Sequence, residues 1–232
     1  EIVATLSAIE DDNRSGIDEA GPIAIGCIPF DSSSPHAFVI PKVVVGKTID
    51  GQIWVTTIDD AEFDFHAPDE IQPFAASFMV NPGVPVDHYL EAVRLTAQAV
   101  REKKIDKAVI ARDIFVMTNF PFDVRAILQR LKASFGSSYR YLFDGFLGAS
   151  PELLVAVKGN KVSSHPLAGT APRTGNPTID QKIAGELIAS TKNQLEHRIV
   201  IDMVHDTLLP WCSFLDWQPE PSIVAVSAGL NS

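Results

Sequence analysis

Four polar features of the chain interrupt apolar runs, and each is of a type that can move a proton or hold charge. Lys107 stands near the start of the stretch 105–118, which is mostly Val, Ile and Ala. Glu152 closes Gly148-Ala149-Ser150-Pro151-Glu152, directly after an apolar run. His165-Pro166-Leu167-Ala168-Gly169-Thr170-Ala171-Pro172-Arg173 reads as a rigid turn with free backbone N–H groups. Glu196 lies in Ser190-Thr191-Lys192-Asn193-Gln194-Leu195-Glu196-His197, inside a helical pattern. A lysine and a carboxyl set among apolar residues are the groups that proton transfer uses. Taken singly, none of the four is specific. A lone lysine on a strand extends its ammonium to solvent, a Glu after Ser-Pro caps a turn, and a helical Glu is commonly solvated. His165 and His197 read as hydrogen-bonded structural imidazoles.

The elements that must position these groups follow from periodicity. Residues 1–84 carry short β-rich runs, at 23–28, 36–40, 42–45 and 52–57, with turn chemistry at Asp31-Ser32-Ser33-Ser34-Pro35 and Asp50-Gly51. They predict an antiparallel sheet with no residue pattern of its own chemistry. Asn81-Pro82-Gly83 marks a break. From residue 85 the pattern changes. A helical period runs from Val86 to Lys104, with Tyr89, Val93, Ala97 and Val100 on one stripe. A strand is predicted over 105–118. A second amphipathic helix spans 122–135, with Val124, Ile127, Leu128, Leu131 and Phe135 expected inside. A strand follows over 139–147, then a hairpin of 153–158 and 161–165 around Gly159-Asn160. One long helix, 180–209, is stopped by Pro210. The reading is an α+β fold with large antiparallel sheets and flanking helices. It divides into a β-rich part, 1–84, and a second domain, 85–232.

Composition narrows the function classes. Of 232 residues, 46% are hydrophobic and 21% charged, which allows a sizeable core. No apolar run reaches the roughly 20 residues of a membrane span, and the opening residues lack the basic and apolar regions of a signal peptide; a cytoplasmic protein is expected. Lys and Arg number 19 against 29 Asp and Glu, a net charge of −10, with no basic stripe, so nucleic acid is not an expected partner. An acidic protein can still bind an anion, given a metal ion, backbone N–H groups or a few placed cations. Cys27 and Cys212 are the only cysteines, too few for a disulfide framework or a zinc site.

In their order, Lys107-Ala108-Val109-Ile110-Ala111-Arg112, Gly148-Ala149-Ser150-Pro151-Glu152-Leu153-Leu154, Pro166-Leu167-Ala168-Gly169-Thr170 and Ser190-x-Lys192-x-x-x-Glu196-His197 resemble the catalytic domain of the chorismate-utilising enzymes. That family joins isochorismate, salicylate, anthranilate and aminodeoxychorismate synthases. The resemblance runs from about Val86 to the chain's end, and residues 1–84 fit the more variable part of the fold. It implies chorismate as substrate and Mg2+ as cofactor. It assigns Lys107 as the base that activates water and Glu152 as the acid for the departing C4 hydroxyl. Gly169 and Thr170 are implied to bind substrate, and Glu196 to ligate Mg2+. Burial would move the lysine pKa down and the glutamate pKa up, toward neutrality.

Ammonia-using members carry Gln where this chain has Lys107, and the branch that attacks with a lysine has Lys in place of Ala168. Both positions therefore point to water as nucleophile. Isochorismate synthase is the favoured member, serving menaquinone or siderophore synthesis. Salicylate synthase, a non-catalytic chorismate-binding fragment and a generic α+β domain are the alternatives. A monomer is expected. The chain departs from the common pattern at Ala171, where many members have Arg, and at Asn193, where Asp is common; Arg173 keeps the second basic position. Members continue past Ala228-Gly229-Leu230-Asn231-Ser232 with strands supplying a second metal carboxylate and a substrate arginine. An incomplete C-terminus, metal site and sheet edge are thus expected.

Overall fold

The computed structural model describes residues 2–226, apart from 32, 36, 65, 67, 68, 73–76 and 219. His36 of the predicted strand 36–40, Ser32 of the predicted turn and the closing 228–232 lie outside the described residues. The chain divides into two compact units, one of residues 1–70 with 142–146 and one of 71–141 with 147–232.

The first unit holds a short helix α1 (Ile2–Ser7) and two antiparallel strand pairs. Strand β1 (Ile25–Cys27) pairs with β2 (Ala37–Val39), and β3 (Val43–Lys47) with β4 (Ile53–Thr57). The β3–β4 turn is closed by the Thr48 N–H donating to the Gln52 carbonyl at 2.9 Å, with Gly51 at φ +97°. Strands β1, β2 and β4 fall inside the expected β-rich runs, and β3 starts one residue later than its run of 42–45 and extends two residues past it.

The second unit carries the candidate chemistry. Strand β5 (Met79–Pro82) pairs with β6 (Ile114–Met117), so the Asn81-Pro82 break is a strand end. The predicted strand 105–118 is corrected: only Ile114–Met117 is extended in a ladder, and 105–113 is irregular. That segment is tethered rather than paired. The Arg112 guanidinium stacks over the Tyr89 ring, 5.6 Å from its centre, and the Asp113 carbonyl accepts from the Gly83 N–H at 3.0 Å. Tyr89 lies on α2 (Val86–Arg101), which starts after Pro85 with Asp87 in its first turn. Helix α3 (Val124–Ser134) is N-capped by Asp123, whose carboxylate accepts from the Arg125 and Gln72 N–H groups.

The predicted strand 139–147 is two strands, β7 (Tyr139–Phe143) and β8 (Phe146–Ser150). Asp144 and Gly145, at φ +46° and +81°, make the two-residue turn between them. Leu142–Phe146, the tip of this hairpin, groups with the first unit. Strands β9 (Leu153–Lys158) and β10 (Lys161–His165) form the hairpin expected around Gly159-Asn160. A bulge between Ser163 and His165 shifts the register, so that the ladder finishes with His165 opposite Leu153 before the turn that follows. The single long helix is corrected to two, α4 (Pro177–Ala189) and α5 (Thr191–Leu208). Ser190 separates them: its extended backbone closes α4, and its hydroxyl accepts from the Asn193 N–H to cap α5. Pro210 lies in a short 3-10 turn, Leu209–Trp211, that finishes α5.

The architecture is α+β with antiparallel sheets, and among the described residues every ladder is two-stranded. Burial is correspondingly shallow. Ala20, Ala126 and Ser138 are the described residues that are buried. Val124, Ile127, Leu128 and Leu131 are half-buried and Phe135 is exposed, which corrects the expected interior face of α3. An apolar stripe leaves water only when a second layer closes over it, and no third strand extends these ladders among the described residues. Cys27 and Cys212 carry free thiols.

Candidate functional site

Lys107 and Glu196 are 89 positions apart and meet as an ion pair. The Lys107 Nζ lies 3.0 Å from Glu196 Oε1, with 23% and 30% of the two side chains exposed. The lysine comes from the irregular segment after α2, held by Arg112 and Asp113. The glutamate sits in the second turn of α5, whose start is fixed by the Ser190 cap. Partial burial lowers the dielectric around the pair and strengthens it relative to a surface contact.

Glu152 is placed by a small local lock. Its N–H donates to the Ser150 hydroxyl at 3.2 Å across Pro151, which orients the side chain back toward the next motif. The Leu167 N–H points to Glu152 Oε1 at 3.5 Å, a long contact that ties the carboxylate to the start of the 166–170 turn. Glu152 is exposed rather than buried on an apolar element, which corrects the expectation for its surroundings.

The turn itself leans on α5. Gly169 adopts φ +80°, a conformation costly to any residue with a Cβ. A Cβ there would also meet the Asn193 side chain at 3.4 Å. Thr170 follows it and is exposed. Beyond the turn, Asp180 of α4 organises residues 173–176. Its carboxylate accepts from the Thr174 N–H and hydroxyl, both at 2.7 Å, and from the Gly175 N–H at 3.2 Å. Arg173 Nε stands 3.6 Å away. The Thr174 backbone N–H, first, and its hydroxyl hold the Asp180 carboxyl below the ordinary aspartate range.

Next to these groups lies a cavity of about 680 Å³, within the second unit, whose walls include Leu167, Gly169, Thr170, Arg173, Asn193 and His197. The volume suits a small organic ligand. The structure thus puts Gly169 and Thr170 on the cavity wall. Glu152, Glu196 and Lys107 are not part of its lining, although Pro151 and His197, the immediate neighbours of the two carboxylates, are. His165 is exposed. His197 departs from the hydrogen-bonded structural reading: its Nδ1 is buried with no hydrogen-bond partner. Arg173, Asn193 and His197 were not singled out as site residues by sequence reasoning. The signals were indirect: Asn193 and His197 lie inside a matching motif, and Arg173 follows one as the second basic position.

Glu196 supplies a hard carboxylate oxygen of the kind Mg2+ prefers. Among the described residues no group of three or more His, Cys, Asp or Glu could hold a metal ion. Glu196 stands among the described residues as a single carboxylate with the Lys107 ammonium on its Oε1. Among the described residues no helix is long and apolar enough to cross a membrane.

Comparison with known proteins gives concordant results. A family model described as chorismate binding enzyme matches residues 32–228. The isochorismate synthase DhbC of Bacillus subtilis is 27% identical over 228 residues, covering 94% of this chain and 54% of its own length. The isochorismate synthase EntC of Escherichia coli K12 is 29% identical over 209 residues, covering 88% of this chain and 51% of its own. The crystal structure of DhbC from Bacillus anthracis superimposes with a TM-score of 0.67 at 25% identity, over 88% of this chain and 52% of that one. The chain spans about half the length of the relatives it matches.

Proposed function

The chain belongs to the chorismate-binding enzyme family, and on that basis we propose that residues 85–232 carry catalytic groups of an isochorismate synthase, the enzyme that converts chorismate to isochorismate. Water adds at C2 of the ring, the double bonds shift, and the C4 hydroxyl leaves. Lys107 takes the proton from water as its oxygen bonds to C2. Glu152 delivers a proton to the departing hydroxyl oxygen, so that it leaves as water. Gly169 and Thr170 bind the substrate through backbone N–H and hydroxyl groups on the cavity wall. Glu196 is the carboxylate that would hold Mg2+, which when bound neutralises a substrate carboxylate.

The observation that carries the reading is the meeting of Lys107 with Glu196, while Glu152 reaches the turn that holds Gly169. The two proposed proton-transfer groups come from different elements: Glu152 contacts the start of the 166–170 turn, and Lys107 pairs with Glu196 of α5. Chorismate is a dianion, and a protein of net charge −10 needs such local compensation to bind it. We propose further that the protein works as a monomer in the cytoplasm, with neither nucleic acid nor membrane as partner.

The test is product analysis, by separation of the reaction mixture, on a chain extended to the relatives' length and supplied with chorismate and Mg2+. Isochorismate without pyruvate is expected. Salicylate with pyruvate would assign the chain to the salicylate synthases, and binding of chorismate without turnover would leave it a chorismate-binding protein.

A further inference from the structure

Resting on the isochorismate synthase reading, we propose that His197 is a further substrate-binding residue, whose Nε2–H donates a hydrogen bond to a carboxylate oxygen of chorismate in the cavity. Helix α5 presents neighbouring residues to two different places. Glu196 turns to Lys107 and takes no part in the cavity lining. Asn193 and His197, one helical turn apart and so on one face, both line the cavity. The His197 ring is half-buried there. Its Nδ1 is sealed from water and has no hydrogen-bond partner. The ring makes no other hydrogen bond among the described residues, so Nε2 is the nitrogen left open.

That asymmetry decides what the ring can do. A proton on Nδ1 would be a buried donor with nothing to accept it, which is a costly arrangement. The neutral ring therefore carries its proton on Nε2, and His197 offers the cavity a donor and no acceptor. The rest of the wall suits an anionic oxygen as the partner. Arg173 is a cation in the lining. Asp180, the one carboxylate among the described lining residues, is already occupied by the Thr174 N–H and hydroxyl and the Gly175 N–H. Gly169 and Thr170 bring further donors to the same space. A substrate carboxylate thus meets donors on this wall rather than a free acid.

The experiment uses a chain extended to the relatives' length, at fixed pH, and reads both kinetics and the ring-nitrogen NMR of His197. In the wild type, Nε2 should be protonated and Nδ1 bare, and chorismate should shift the Nε2 resonance. His197→Leu should raise KM for chorismate about 10-fold or more, the scale of one hydrogen bond to a charged group, with kcat little changed. His197→Gln, whose amide N–H reaches the place of Nε2, should stay near wild type. If circular dichroism shows the Leu variant unfolded, His197→Asn, whose amide reaches only the place of Nδ1, takes its role with the same expected rise. An unchanged KM in the Leu variant, an equal rise in the Leu and Gln variants, or a proton found on Nδ1 overturns the proposal and leaves the synthase reading standing. A wild type that neither turns over chorismate nor shows any chorismate-induced change in its spectrum overturns that reading, and the proposal with it.

Discussion

At the scale of single residues, the chemistry depends on where two charged side chains meet. Lys107 can act as a base only if its amine can reach water, and in the chain as described it is held by Glu196. In a chain of the relatives' full length, Lys107→Gln should abolish water addition, because an amide cannot take up the proton. The expected loss in kcat is roughly 10²–10⁴-fold, the usual contribution of a positioned base, read by the rate of isochorismate formation at saturating chorismate. More than half the activity remaining would exclude Lys107 as the base. Gly169 offers a second test. Gly169→Ala places a Cβ at φ +80° and 3.4 Å from Asn193, so the turn must shift or strain by about 1–2 kcal/mol. The predicted signature is a raised KM for chorismate and a lowered Tm; a KM unchanged would remove Gly169 from the substrate site. The identities of these residues were legible in the sequence as members of four ordered motifs. Their contacts were not, because nothing local in residues 105–110 or 190–197 encodes a pairing across 89 positions. His197 shows the same limit: its unpartnered Nδ1 is a property of packing, which no motif states.

At the scale of elements, caps decide where chain segments begin and end, and they were the signals most easily missed. Asn176 and Pro177 start α4, with the Asn176 side chain accepting from the Thr178 and Ile179 N–H groups. Asp180 then holds the approach loop through Thr174 and Gly175, beside the cavity. Because these donors favour the carboxylate, its folded pKa lies below the ordinary 3.8. The stability that this contributes is fully present above that value and is lost as the pH falls below it toward the folded pKa. Asp180→Asn should therefore be less stable than wild type at pH 7, with the gap narrowing as the pH falls below 3.8, measured by denaturant unfolding at a series of pH values. A gap that stays constant with pH would mean the carboxylate charge is not what holds the loop. Helices α2 and α3 and the hairpin β9–β10 were readable from period 3.6 and period 2. Ser190 was not recognised as a cap because the apolar pattern runs on through it, and so two helices looked like one. Asp144-Gly145 was passed over within an aromatic and aliphatic run, merging β7 with β8. Strand β6 is shorter than the alternation predicts, because 105–113 alternates like a strand while joining none of the described ladders.

At the scale of the whole chain, composition and burial point in different directions, and the difference has a physical meaning. A hydrophobic fraction of 46% predicts a core, yet large side chains such as Val109, Leu154, Trp211 and Phe214 are 78–84% exposed. Apolar surface of that extent is costly in water, at about 25 cal/mol per Å². The strand pairs tell the same story, since two-stranded ladders are marginal alone. Class and ladder direction were legible in the sequence, because they follow from local patterns; the depth of the core was not, because it depends on what lies opposite. The chain matches relatives about twice its length, and among its described residues no group of three or more His, Cys, Asp or Glu could hold a metal ion. The prediction is that the 232 residues alone bind Mg2+ weakly and form little or no isochorismate, while a chain extended to the relatives' length does both. It should also show in unfolding. A closed domain of this size exposes enough surface for a urea m-value in the upper part of roughly 1–3 kcal/mol/M, and the 232 residues alone should fall in the lower part. Calorimetric Mg2+ titration with chorismate present, a coupled isochorismate assay and urea unfolding on both chains would decide it. Normal turnover and a steep unfolding transition in the shorter chain would show that its own residues complete both site and core.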